Sequence, residues 1–450
     1  MRACARAVLS LTALLAAGAT RAHALQERYD LPLPLAYVVA GGCLAVVLTF
    51  AAAALFARRG AGAPREARAL AVPAPLLAVT RTLGLVLFLL AVASALWGTR
   101  DPLMNLTPTL VWIVAWLGLS LTCAFVADVW PLLDPWRTLH AGWQALWRRP
   151  APTPRRHWPA RIGVWPAVLL LLAWSWMEVV DPRASSPARL GALLLAWTAV
   201  NLGGMAAFGR AAWQAHADLF AVVFATFGRM APWRLASGPA APPAAGLAAL
   251  VMALLATVIF DGLHGAAAWE LVDRLVRTVV PAQADPNGFI AGAAGLVAVW
   301  LAFLLLYQAA LHASLALLGP SGRDPALPPR IALTLVPIAA AYHLAHNFST
   351  LVLQGQRIVA LLSDPFGLQW DLFGTARYYP DIAWLDARIT WFVATGAILA
   401  GHAASIWWSH RVVLATGVPR RRAAAALVPL TLLMVAFTAS SLVLLAAAQE

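Results

Sequence analysis

The sequence predicts an all-α, polytopic transmembrane helix bundle of about ten helices behind an N-terminal signal peptide. Three observations predict it: the poverty of charge, the recurrence of apolar stretches of bilayer length, and the one-sided placement of arginine. Of the 450 residues, 62% are hydrophobic and 11% charged. A soluble domain carries about a quarter charged residues. So few charges cannot clothe a water-facing surface, and the bilayer is the expected solvent. The net charge is +13, and all 32 basic residues are arginine. In a soluble protein that balance would point to nucleic acid. Here the arginines sit in short loops between apolar stretches, where they set topology, and no nucleic-acid partner is expected.

Residues 1–24 have a basic start (Arg2, Arg6), an apolar run from Val8 to Gly18 and a small-residue Ala22-His23-Ala24 site. That is the layout of a secretory signal. Cleavage after Ala24 discards His23; cleavage after Ala22 would leave His23 at the amino terminus, where it could chelate copper. The remainder, residues 25–450, reads as a single transmembrane helical domain. Its apolar spans are Leu35–Phe56, Leu76–Trp97, Thr109–Ala127, Ile162–Val180, Leu190–Gly209, Ala245–Gly265, Phe289–Leu318, Ile331–Gln356, Arg388–Ser409 and Ala424–Ala446. Each is long enough for a hydrocarbon core of about 30 Å at about 1.5 Å per residue.

Arginine tests the count. Threaded from an outside N-terminus, the inside loops hold 19 arginines and the outside segments 9. Adding or losing one helix scrambles that bias, which is what the positive-inside rule requires. The expected location is a bacterial inner (plasma) membrane, with both termini periplasmic. Three connecting segments are more than tethers. Val129–Trp147, rich in Trp, Leu and Arg, should lie along the cytoplasmic interface. Ala211–Trp233 does the same or re-enters the membrane. The outer loop Arg357–Ala387, rich in Asp and aromatics, is either a cap over the outer mouth or an ordinary interfacial loop. Cys43 and Cys123 lie in apolar helices at no zinc or thioredoxin spacing, and read as core thiols.

Ionisable groups inside a membrane are costly and usually face the bundle interior. Here they cluster. Asp261 and His264 are spaced i, i+3 at the end of one span. His343, Asn347 and Gln354 share a stripe on another, with His346 beside them. Glu178 ends a third. At about 1.5 Å per residue, Asp261, Glu178, His346 and His343 fall at one level in the outer half of the bilayer. His402 and His312 form a second, deeper pair. Two histidines with an aspartate suit a divalent metal such as zinc, iron or manganese, which could acidify a water to a nucleophile. On that reading Asp261, His343 and His346 bind the metal. His264 is a fourth ligand or proton donor, and Glu178 a general base or a support behind the ligands. Asn347, Gln354, Asp364 and Asp371 line the substrate entrance. Each histidine alone also reads as a neutral imidazole bonding a neighbouring helix. The deeper pair, or His402 with His343, suits a b-type haem held by two His. The polar stripe also fits the path of a small-solute or metal transporter, although no inverted repeat is visible. No Walker loop, G-x-S-x-G or H-E-x-x-H occurs.

The stretches ERYDLPLPL (Glu27–Leu35), FDGLHGAAAW (Phe260–Trp269), YHLAHNFSTLVLQGQ (Tyr342–Gln356), SDPFGLQWDLFGTA (Ser363–Ala376) and GHAASIWWSHRVVL (Gly401–Leu414) resemble the bacterial membrane protein family known as fenitrothion hydrolase, an organophosphorus hydrolase subunit. The resemblance implies hydrolysis of an aryl phosphorothioate ester with release of a nitrophenol, and a second membrane subunit as partner. It carries no established catalytic residues. An apolar phosphotriester partitions into lipid, so the expectation is a metal-dependent phosphoric or phosphorothioic triester hydrolase with an intramembrane site. The rival expectation is a haem- or copper-binding redox component.

Overall fold

A computed structural model describes residues 34–57, 68–146, 156–235, 245–281 and 283–447. The expected signal peptide at residues 1–24 lies outside the described residues. Every apolar span named above is helical. The long elements are α1 (Leu35–Phe56), α2 (Ala74–Trp97), α3 (Leu106–Phe125), α4 (Pro135–Leu146), α5 (Trp165–Val179), α6 (Pro187–Phe208), α7 (Leu219–Phe227), α8 (Leu247–His264), α9 (Trp269–Arg277), α10 (Phe289–Leu318), α11 (Val336–Gly355), α12 (Ala387–Leu414) and α13 (Arg420–Ala447). Among the described residues, nine helices are long and apolar enough to cross a membrane, and α5 is a shorter apolar helix of 15 residues. The chain is a multi-pass membrane protein. Its outer helices carry apolar side chains on their free faces, Leu44, Leu48 and Leu55 on α1 and Leu83, Val86 and Leu89 on α2. Such a surface is stable only against lipid.

Proline and asparagine set several helix ends. The span expected at Ile331–Gln356 is interrupted: Leu327–Leu333 forms a separate turn, and α11 begins at Val336 with Pro337 in its first turn. Proline has no N–H to give to the preceding turn, so the continuous helix breaks there. Pro166 likewise opens α5. Helix α3 begins earlier than expected because the Asn105 side chain caps it, accepting from the Thr107 N–H. Its middle, Thr109–Gly118, is wound as a π-helix. That wider winding sets Trp112 and Trp116 together against Trp174 of α5, with ring centroids 4.5 and 5.6 Å away.

Helix α8 is the axis. Leu250, Val251, Met252, Ala253, Leu255 and Ala256 are all fully buried, and α5, α10 and α11 pack around it. Helices α11 and α12 form the most extensive pair. Gly401 permits their approach: a Cβ there would sit 2.5 Å from Ala341 Cβ and 2.8 Å from the Pro337 carbonyl. Gly84 plays the same part for α2, where a Cβ would lie 1.9 Å from the Leu133 carbonyl.

The segment expected along the interface is only partly so. Trp143 and Leu146 of α4 are exposed, but Trp130 and Trp136 are buried in an aromatic cluster with Phe220 and Phe224. Nine-residue α7 is buried almost throughout, so its segment enters the bundle. Two three-residue strands, Arg68–Leu70 and Trp233–Leu235, pair in parallel beside Ala127 and tie three connections together at one end. Two buried aspartates lie at this end. Asp134 accepts from the Arg137 N–H at 3.1 Å and from the Gln214 side-chain amide. Asp218 caps α7, accepting from the Phe220 and Ala221 N–H groups. Burial pushes both carboxyls above the ordinary range; for Asp218 the Asp134 charge adds to it.

Two outcomes follow from this packing. Gly84→Ala forces backbone against backbone and is expected to destabilise by about 1–3 kcal/mol, read as a lowered Tm in detergent. The raised carboxyls mean that the folded state holds protons the unfolded chain has released. Stability contributed by this pair therefore falls as pH rises from about 4 toward neutrality. Asp218→Asn keeps the cap and is expected to flatten that slope, measured as Tm at about pH 5 against about pH 8.

Candidate functional site

The polar groups that the sequence places at one level are divided by the helix faces on which they lie. Asp261, in the last turn of α8, and His346, midway along α11, meet across the helix crossing. His346 Nε2 lies 2.7 Å from Asp261 Oδ2. Neither is sealed: the side chains are 28% and 38% exposed, respectively. With Asp261 ionised, the Nε2–H donates to it, and the Nδ1 lone pair is left to accept a proton. A carboxylate holding an imidazole in one tautomer is the arrangement by which a histidine serves as general base.

His343, one turn earlier on α11, is buried. Its ring meets the edge of Trp116 at 5.8 Å and lies flat on Phe227 at 6.1 Å. Its Nε2 has no hydrogen-bond partner among the described residues. Glu178, at the end of α5, interacts with the Trp116 side chain and lies within electrostatic range of Asp261. Trp116 therefore contacts both His343 and Glu178. Sequence reasoning missed it, since a tryptophan in an apolar run carries no signal of its own.

Glu178 also lines a cavity of about 220 Å³ toward the outer loops, with Thr109, Trp112, Ser185, Gln354 and Arg357. Of the expected entrance residues only Gln354 lines this cavity. Arg357, three residues beyond it, was missed; the continuing polar stripe was the signal. Asn347 turns back on its own helix and donates to the His343 carbonyl at 3.2 Å. Asp364 and Asp371 brace the outer loop instead of lining a mouth. Asp364 accepts from the Leu368 and Gln369 N–H groups. Asp371 accepts from the Ala376 N–H and the Ser363 hydroxyl, which hold its carboxyl below the usual range.

The remaining histidines stand apart. His264 packs on Trp269 at 4.6 Å and on Phe260 at 5.6 Å, and no hydrogen bond joins it to Asp261 or His346 among the described residues. His402 is fully buried on α12, its Nδ1 2.9 Å from the Ile398 carbonyl and its Nε2 without a partner. His312 is on the exposed face of α10, its Nδ1 on the Gln308 carbonyl. The two differ in environment, one sealed in the bundle and the other on its surface. Among the described residues, no three or more His, Cys, Asp or Glu side chains gather around one point for a metal ion. Asp261 and His346 are bonded to each other, while His343 is turned into the aromatic wall.

The outer loop is locked onto the turn between α2 and α3, away from the Asp261–His346 pair. The Thr99 N–H donates to the Phe366 carbonyl at 2.8 Å, and that of Leu106 to the Pro365 carbonyl at 3.2 Å. Gly367, at φ +67°, fits against Thr99 where a Cβ would clash at 2.4 Å. Fully buried Asn105 is the hub. Its amide donates to the Ser94 and Thr99 carbonyls, each at 2.9 Å, and its oxygen accepts from the Thr107 N–H and the Ser94 hydroxyl. All four of its hydrogen-bonding positions are used.

No family model, curated protein or solved structure matches the chain.

Asn105→Ala leaves several buried polar atoms unpaired and is expected to cost about 3 kcal/mol. Limited proteolysis checks it: cleavage within residues 364–376 should accelerate well before global unfolding.

Proposed function

We propose that this protein is a membrane-embedded hydrolase of apolar organophosphorus esters, with the Asp261–His346 pair as its general base. The observation that carries the reading is the 2.7 Å bond between a half-exposed carboxylate and a half-exposed imidazole near the end of a membrane helix. Asp261 orients the ring and offsets the charge it gains. His346 Nδ1 takes a proton from water, the water oxygen bonds to phosphorus, and the aryl–oxygen bond to phosphorus breaks in line, releasing a phenolate. A lipid-soluble triester reaches such a site through the bilayer, and no soluble vestibule is needed. The resemblance to fenitrothion hydrolase agrees with this substrate class.

The same reading sets the chain in a bacterial inner membrane after removal of its signal peptide. It gives ten crossings, with α5 as the short one, and termini on the periplasmic side. The arginine bias supports that orientation, since α8 then ends, and α11 delivers His346, in the outer leaflet. A second membrane subunit is its partner. One observation favours a second reading, proton-coupled transport: buried His343 carries an unpartnered Nε2 one turn below His346, as the next station of a proton path would.

The full chain reconstituted in nanodiscs should release nitrophenol from a nitroaryl phosphorothioate. Asp261→Asn and His346→Gln should each lower kcat by about 10²–10⁴-fold, with little change in Tm. Wild-type protein that hydrolyses no ester but acidifies proteoliposomes during solute uptake would decide for transport.

A further inference from the structure

An apolar chamber runs from Trp136, where a cluster of arginines lies beside it, toward Met177, the residue before Glu178. The chamber has a volume of about 330 Å³. It lies among α2, α3, α5, α6 and α7, and Phe88, Val114, Trp174, Trp197 and Phe220 are among its walls. Leu193 and Ala173 at its rim are exposed, so it opens on the lipid-facing side. Gly84 and Trp136 also line it. Arg81 lies one helical turn before Gly84, and Arg137 directly follows Trp136. Arg81 and Arg210 lie within electrostatic range of Arg137.

These three arginines are under-compensated. None of the three has a carboxylate within ion-pair distance among the described residues. The Nε atoms of Arg81 and Arg137 are buried without a hydrogen-bond partner, as is Nδ1 of neighbouring His140. The nearby carboxyls are Asp134, whose oxygens accept from Gln214 and the Arg137 N–H, and Asp218, whose Oδ1 caps α7 and whose Oδ2 is buried without a partner; burial raises both toward the neutral form, so neither answers the arginines as a full charge. Like charges held together in a poorly hydrated place with unfilled donors call for an anion. The chamber calls for a hydrocarbon chain. The indole N–H of Trp130, on the short helix that leads to Leu133, is buried and unpartnered too; a glycerol-ester carbonyl is the acceptor it lacks.

We propose that this part of the protein binds one anionic phospholipid, its phosphodiester on Arg81, Arg137 and Arg210 and one acyl chain in the chamber. The proposal stands apart from the hydrolase reading, because neither the lipid nor its site shares a residue with the Asp261–His346 pair. Charge complementarity selects the occupant: a zwitterionic lipid fills the chamber without answering the arginines, and inorganic phosphate answers the arginines without filling the chamber.

The test uses the full chain in mild detergent, titrated with dioleoylphosphatidylglycerol, dioleoylphosphatidylcholine or inorganic phosphate, with binding read by native mass spectrometry and by Tm. The expected result is one retained phosphatidylglycerol, bound at least about tenfold more tightly than phosphatidylcholine, and a loss of about fivefold in affinity for each of Arg81→Gln, Arg137→Gln and Arg210→Gln. Arg421→Gln, on the exposed start of α13, should change nothing. Equal retention of the two lipids overturns the proposal. So does full competition by inorganic phosphate, or phosphatidylglycerol binding that survives the triple glutamine variant. Should that variant fail to fold, the comparison of lipids on the wild-type chain decides alone.

Discussion

In hydrocarbon, a polar atom must find its partner within the protein. Most of this structure follows from that constraint. The backbone meets it by remaining helical wherever lipid is the neighbour. Where helices stop, side chains take over. Asn105 joins the end of α2, the turn that follows it and the start of α3 through four hydrogen bonds. Asp181 closes the turn between α5 and α6 by its 2.7 Å ion pair with Arg189. Threonine and serine within the helices bond the carbonyl one turn back, as Ser120 and Thr438 do. Against this background, the few polar atoms left unpartnered stand out. Several lie in two places, beside the carboxylate–imidazole pair and around the arginine cluster.

The pair itself is a product of helix crossing. Helix α8 is buried along most of its length, so its last turns are held firmly against α11. Asp261 then has one direction available, and His346 occupies it. The aromatic wall behind them does separate work. Trp116, in the π-helical stretch of α3, contacts both Glu178 and His343. One indole is thus shared by a carboxylate and an imidazole, near a bonded pair of the same two groups.

Much of the fold was legible in the sequence because length and hydrophobicity are enough to find a membrane helix. The ends of α1 and α10 agree with the expected spans to the residue. The break before α11 was not anticipated, although Pro337 was there to signal it. Helix α7 escaped because nine apolar residues are too few to stand out from an interfacial segment. For the site, counting depth along each helix brought Asp261 and His346 to one level, and they are bonded. Depth gives no angle about the helix axis, however. That is why His343, at the same level, faces Trp116 and Phe227 and not Asp261. The arginine cluster was beyond reach of any pattern, since Arg81, Arg137 and Arg210 lie on three elements far apart in the chain.

The small parallel strand pair has a consequence for how the molecule is made. Its first strand, Arg68–Leu70, leaves the ribosome early, behind α1 alone. Its partner, Trp233–Leu235, follows only after α2 through α7 have been synthesised. A ribosome adds about 5–20 residues per second, so on the order of ten seconds or more pass with the first strand unpaired. The clasp therefore closes only after α2 through α7 have been synthesised.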